Sequence, residues 1–163
     1  GASSFTNGLL LTRDLRLHSE NTDGNGVTFS GEITGPGGIV KTGPGPVYLT
    51  GTVQYAGKTT VREGDLVVQG RVTLTNALTV AAGESDSGTM VVQGDLTLGA
   101  GASLTVEPGT LDRGVRYTLL TWTGTRSGSF DAVTGLPEGW HVGYYPDHIE
   151  LYYAPPGTRI ELL

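Results

Sequence analysis

The sequence VVQGRVTL at residues 67–74 returns almost unchanged as VVQGDLTL at residues 91–98. In both copies apolar and polar side chains alternate over three or four residues, and a glycine separates two such stretches. This alternation is typical of short β-strands that bury one face. Its return at a later point of the chain indicates a structural repeat.

Similar apolar pairs recur six residues apart, in groups of three that start at residues 9, 27, 47, 66 and 90. The glycines keep the same register, with Gly31, Gly51, Gly70 and Gly94 each four residues after a group start. Three short strands with glycine corners describe one coil of a parallel β-helix, whose coils stack about 4.8 Å apart. The inward ladders are predicted to contain Val47, Leu49, Leu66, Val68, Val72, Leu74, Leu78, Val80, Met90, Val92, Leu96 and Leu98. A β-sandwich with irregular strands is the alternative, but it does not explain the fixed glycine register.

Composition supports an all-β protein with many turns. The chain has 163 residues, of which 27 are glycine and 16% are charged, which excludes a helical bundle or a coiled coil. The net charge of −6 argues against a nucleic-acid partner and against binding to an acidic membrane surface. The chain has no cysteine, so no disulfide framework or thiol chemistry is expected.

The C-terminal part departs from the repeat. Glycine corners lose their register after residue 110, and eight of the twelve aromatic residues lie between Tyr117 and Tyr153. We predict β-helix coils over residues 1–110, an aromatic cap with Trp122 and Trp140 over 111–153, and a linker over 154–163. Such a cap would cover the unpaired strand edges at the end of the helix. An aromatic platform that binds carbohydrate is the alternative for this region.

Residues 27–43, VTFSGEITGPGGIVKTG, resemble the opening of the passenger-associated transport repeat of bacterial autotransporters. Residues 47–66 are similar to the rest of that repeat, with its glycines, Lys41, Tyr55 and Thr59 in matching places. Two residues depart from the pattern: Pro46 stands where the family favours a small polar residue, and Val53 where an asparagine is usual.

This resemblance implies a right-handed parallel β-helix, here of about five coils with a C-terminal β cap. It implies the early-folding stem of a passenger that is secreted to the surface of a Gram-negative cell. The expected partner is the outer-membrane barrel of the same precursor, and the expected state is a monomer. The alternative function is that of an adhesin or a self-assembling matrix subunit, which would bind glycans, a host surface or itself.

No catalytic, cofactor-binding or metal-binding residue is predicted, and no enzyme activity is expected. The histidines His18, His141 and His148 are far apart in sequence and stand beside no convincing serine and aspartate. Alternation along a strand places neighbours on opposite faces, so the sequence around His148 and Glu150 is interpreted as surface rather than as a charge cluster.

The acidic residues at coil boundaries form no predicted pair. Glu63, Asp65, Asp95 and Glu107 stand beside glycine or proline, where solvated turns are expected. A β-helical polysaccharide enzyme would need two facing carboxylates and is the third hypothesis.

Residues 21–32 fit the ligand spacing of an EF-hand loop, with Asn21 in the first position and Glu32 in the twelfth. No helices are expected to flank this loop, so a turn rich in Asn and Asp is the preferred interpretation over a calcium site.

Overall fold

A computed structural model describes residues 2–157 as an all-β structure of twenty strands. The strands wind in coils, each of which contributes one strand to each of three faces. No helix that could span a membrane occurs among these residues. The prediction of a parallel β-helix is confirmed.

The first face is one continuous sheet of eight strands, in which all pairs are parallel except those made by the last hairpin. In spatial order its strands are β1 (Ser3–Phe5), β4 (Val27–Phe29), β7 (Val47–Leu49), β10 (Gly64–Gln69), β13 (Gly88–Gln93), β16 (Tyr117–Trp122), β20 (His148–Tyr153) and β19 (Trp140–Tyr144).

The third face is a continuous parallel sheet of six strands. These are β3 (Leu15–His18), β6 (Ile39–Thr42), β9 (Thr59–Val61), β12 (Ala77–Ala82), β15 (Ser103–Pro108) and β18 (Ala132–Thr134). The second face is divided into two sheets of three strands. One holds β2 (Leu9–Leu10), β5 (Ile33–Gly35) and β8 (Val53–Tyr55), and the other holds β11 (Val72–Leu74), β14 (Leu96–Leu98) and β17 (Arg126–Gly128).

The predicted ladders form in register. Leu66 pairs with Val47 on one side and Met90 on the other, while Val68 pairs with Leu49 and Val92. These side chains are fully or almost fully buried, because inward positions of successive coils lie directly above one another. Val72 differs from the others, since it is only half-buried.

The corner glycines are required by close packing of the backbone. A Cβ on Gly51 would lie 2.2 Å from the carbonyl oxygen of Gly31, and a Cβ on Gly94 would lie 2.4 Å from that of Gly70. Neither Gly51 nor Gly94 has a positive φ. The repeat therefore places glycine at this corner mainly because successive corners touch.

The first coil begins earlier than the sequence pattern indicates. Leu9 pairs with Ile33 and not with Val27, so the group that starts at residue 9 supplies the second and third strands of its coil. The first strand is β1, whose Ser3 pairs with Val27. This strand shows no alternation of apolar and polar residues, because two of its three residues are serine.

A sixth coil follows the five that the repeat predicts. Strands β16, β17 and β18 pair in parallel with β13, β14 and β15, so the coil continues to Thr134, past the boundary drawn at residue 110. Only β19 and β20 then form an antiparallel hairpin. The predicted linker over 154–163 falls largely on residues 158–163, which lie outside the described residues.

Candidate functional surfaces at the two ends of the coil

The N-terminal end of the stack presents an edge strand from each face. Strands β1, β2 and β3 are the outermost members of their sheets. Two large apolar side chains lie there in solvent, Phe5 with 50% and Leu10 with 70% of their surface exposed. Phe5 stacks on Phe29 of the next coil with ring centroids 4.9 Å apart. This end offers both hydrogen-bonding edges and apolar surface to a further strand.

The β19–β20 hairpin covers the C-terminal edge of the first face, while β17 and β18 are the outermost strands of the other two faces. Strand β20 pairs antiparallel with β16 of the last coil, and β19 pairs with β20. The buried ring of Trp140 packs against Tyr117 at 6.0 Å and Tyr153 at 5.7 Å between centroids. The predicted packing of the aromatic residues is thereby confirmed for Trp140.

Trp122 is also buried and belongs to the last coil. Its indole Nε1 donates to the carbonyl oxygen of Pro146, in the turn of the hairpin, at 2.9 Å. Phe130 donates its backbone N–H to the hydroxyl of Tyr144 at 3.3 Å. The hairpin is thus tied to the last coil by polar contacts as well as by ring packing.

A charged network covers the outer face of the hairpin. The carboxylate of Glu150 is almost buried and accepts hydrogen bonds from Arg116 and from His148, the latter at 3.2 Å. The His148 ring stacks on Tyr145 with centroids 4.7 Å apart, and its Nδ1 lies 2.6 Å from Asp147. The prediction that His148 lies at the rim or surface agrees with its side chain, which is 27% exposed, but the prediction that these residues form no charge cluster is wrong. Residues 148 and 150 share one face of the strand, and Asp147 reaches His148 from the preceding turn.

The network changes the pKa values of its members. Hydrogen bonding to Asp147 raises the pKa of His148, although burial acts in the opposite direction. Burial acts to raise the pKa of Glu150, but hydrogen bonds from Arg116, Tyr145 and His148 outweigh it and hold that pKa below its usual value. Both groups therefore favour their charged forms in the folded protein.

A buried cation lies inside the N-terminal half of the coil. Lys41 occupies an inward column between Leu17 and Val61 and is fully buried. Its Nζ donates to the carbonyl oxygens of Thr42, Gly43 and Glu63 at 3.1, 2.6 and 2.8 Å. Burial lowers the pKa of Lys41 to about 8, against the opposing effect of the Glu63 and Asp65 carboxylates.

The tyrosine and threonine of the repeat also bond to each other. The hydroxyls of Tyr55 and Thr59 lie 2.6 Å apart, and burial raises the pKa of Tyr55 to about 12. The polar residues that carry the resemblance therefore hold the coil together. Sequence analysis matched Lys41 to the repeat without predicting that its side chain lies inside the coil.

The remaining sequence candidates are only partly brought together. His18 bonds to Thr42 and Glu20, and His141 packs against Tyr152 with centroids 5.8 Å apart. Glu107 pairs with Arg62 at 3.3 Å. His18, Glu63 and Glu107 line one open cavity of about 390 Å³, whereas His141 is not part of its lining.

The loop with calcium-like spacing forms a turn. The side-chain oxygen of Asn21 accepts the backbone N–H of Asp23 at 2.9 Å, and Gly24 has a positive φ of 79°. This geometry is the turn rich in Asn and Asp that the sequence analysis preferred. Within residues 2–157, no three His, Cys, Asp or Glu side chains are grouped so that they could hold a metal ion.

Comparison with known proteins finds one relevant similarity. No family model matches this chain. A stretch of 85 residues is 39% identical to the adhesin BmaC autotransporter of Brucella suis biovar 1 (strain 1330). The match covers 52% of this chain and 2% of that protein, so the chain spans a small fraction of its relative. The similarity supports the prediction of an autotransporter passenger, while the transport repeat and the early-folding role stay predictions.

Proposed function

We propose that this chain is a non-catalytic part of the β-helical stem of an autotransporter passenger at a Gram-negative cell surface. There it acts as a rigid spacer and as a folding nucleus that assists translocation. The observation that carries the proposal is the difference between the two ends of the stack. At one end all three faces finish in an edge strand, while at the other an antiparallel hairpin with an aromatic core covers the edge of the first face and leaves β17 and β18 outermost on the other two.

Folding of a solenoid propagates from one coil to the next. A coil gains stability from the coil beside it, so folding spreads from wherever the first stable unit forms. The aromatic core of the hairpin and the last coil, where Trp140 packs against Tyr117 and Tyr153, offers such a start. The open N-terminal end then presents three strand edges on which earlier coils of a passenger can form. In this proposal the outer-membrane barrel of the same precursor is the partner on the C-terminal side.

Pulsed hydrogen exchange during refolding of the full chain tests the order of folding. We expect amides of β13 to β20 to gain protection before those of β1 to β6. A Trp140→Ala variant should slow protection of both groups, whereas Phe5→Ala should slow neither. Protection that begins in β1 to β6, or that rises uniformly along the chain, would contradict the proposal.

A second candidate function is that of an adhesin or self-assembling subunit. Among the described residues, Phe5 and Leu10 are exposed on outermost strands, and a strand edge of this kind can pair with a strand of another molecule. The name of the relative, an adhesin, points the same way. Light scattering over a range of concentrations distinguishes the candidates. A mass that grows with concentration in the wild type and not in Leu10→Lys supports self-assembly, and a constant monomer mass supports the stem.

A further inference from the structure

The second face of the coil is interrupted at mid-length. Strands β8 (Val53–Tyr55) and β11 (Val72–Leu74) belong to different sheets, although the coils that contain them are paired on the other two faces. We call the gap between these two strands the seam. Each strand therefore turns one edge of backbone N–H and C=O groups towards the seam.

The seam opens at one end, where Gly51, Gln69 and Arg71 line a cavity. A Cβ placed on Gly31, Gly51 or Gly94 would lie within 2.4 Å of the backbone of the neighbouring corner. A Cβ on Gly70 would meet no atom within 4 Å. Gly70 has a positive φ of 96°, which directs a Cβ away from the stack, so this corner differs in conformation from the other three. At the other end, the Asn76 side chain closes the seam by donating to the carbonyl oxygens of Ala56 and Gly57 at 2.8 and 2.6 Å.

Two connected cavities occupy this opening. The outer cavity has a volume of about 400 Å³, and its lining includes Thr52, Gln54, Gln69 and Arg71. The inner cavity has a volume of about 60 Å³ and reaches Met90 in the core. Val53 and Val68 line both cavities. Val53 is half-buried and places an apolar side chain at the entrance.

We propose that the seam binds an extended peptide segment in which an aliphatic side chain stands next to an acidic residue. The free strand edges can pair with the peptide backbone, as in recognition by strand addition. The inner cavity can hold a small aliphatic group, because Val68, Leu74 and Met90 form part of its wall and its volume is far smaller than the cavity of about 150 Å³ that accommodates benzene.

The preference for an acidic residue comes from Arg71. It is the one charged side chain in the lining of the outer cavity, and it is largely exposed. Its nearest carboxylate, that of Asp95, is 3.8 Å away, so the guanidinium keeps donors for a ligand. The proposal does not depend on the stem function, and its failure would leave that function unaffected.

Selection from a displayed library of random seven-residue peptides tests the site on the full chain. Peptides that bind the wild type are retained, and those that also bind Val53→Trp, whose ring would fill the seam, are discarded. We expect the enriched peptides to carry Val, Leu or Ile beside Asp or Glu. Their synthetic forms should bind Val53→Trp at least tenfold and Arg71→Gln about threefold to tenfold more weakly than wild type. Arg13→Gln, a change of an exposed arginine outside the seam, should bind as wild type does.

A second variant controls for loss of folding. If melting shows that Val53→Trp is unfolded, Gln54→Trp replaces it, since Gln54 is exposed at the mouth of the outer cavity. Absence of any peptide that separates wild type from these variants would overturn the proposal. So would binders whose NMR shift changes fall outside the seam, or binding of cello-oligosaccharides or heparin fragments at the seam without peptide binding.

Discussion

The two ends of the coil stack differ in how the first face finishes. At the N-terminal end the edges of β1, β2 and β3 are free, and Phe5 and Leu10 remain in solvent. At the C-terminal end the chain reverses direction, pairs β20 with β16 and buries Trp140. The hairpin leaves β17, β18 and β19 as outermost strands, so the C-terminal end is distinguished by its buried aromatic core rather than by the loss of every strand edge.

The largest expected effect separates the two ends by aromatic truncation. Trp140→Ala should lower the free energy of unfolding by about 3–5 kcal/mol, because it removes a buried ring and leaves a cavity. Phe5→Ala should cost less than about 1 kcal/mol, since half of its surface is already exposed. Urea denaturation measures both. Equal losses would remove the distinction between the two ends.

The stability of the coils between the two ends should depend on the buried ladder side chains. Leu74→Ala should cost about 2–5 kcal/mol, because the side chain is buried against the next coil through its pairing with Leu98. Thr73→Ala, on the outward side of the same strand, serves as the control and should cost far less. Unchanged stability of Leu74→Ala in urea denaturation would contradict the ladder assignment.

The buried charge of the N-terminal half predicts a dependence on alkaline pH. The pKa of Lys41 is lowered to about 8 in the folded protein, from 10.5 when exposed. Between these values the unfolded chain binds more protons, so stability should rise with pH from about 8 to 10.5. Lys41→Met should lose this rise in urea titrations at several pH values. A wild-type stability that falls over this interval would show that the three carbonyl contacts dominate.

The charged network of the C-terminal hairpin predicts the opposite trend near neutral pH. The raised pKa of His148 means that the folded protein binds more protons, so its contribution is full below pH 6.5 and disappears as pH rises through the raised value. The melting temperature of wild type should therefore decrease by a few degrees from pH 6 to 8. His148→Gln should show a smaller decrease, and an identical pH profile for both proteins would show that His148 does not stabilise the hairpin.

Sequence reasoning succeeded where the fold repeats. The pairing of Leu66 with Met90 and of Val68 with Val92 could be predicted from the repeated sequence segments, because stacked coils place equivalent positions above one another. It failed where a strand lacks the apolar pair of the repeat. The first strand has two serines in three residues, and β17 of the sixth coil consists of Arg126, Ser127 and Gly128.

The candidate surfaces divide in the same way. The sequence indicated an aromatic cap and named Trp140, since rings concentrated after the repeats have few other places to pack. It did not indicate the bond between His148 and Glu150, because strand alternation was applied to neighbours and not to residues two apart. It gave no sign of the seam beyond the unusual Val53.

Local alternation and recurring glycine thus determined that the chain is a parallel β-helix, because both features depend only on positions close in sequence. The tertiary structure decided where the stack is interrupted and how it ends. Three features depend on contacts between residues that are distant along the chain. They are the missing pairing of β8 with β11, the three carbonyl oxygens that accept from Lys41, and the hairpin that pairs with β16. Such contacts are set by the packing of whole coils, which no single stretch of sequence specifies.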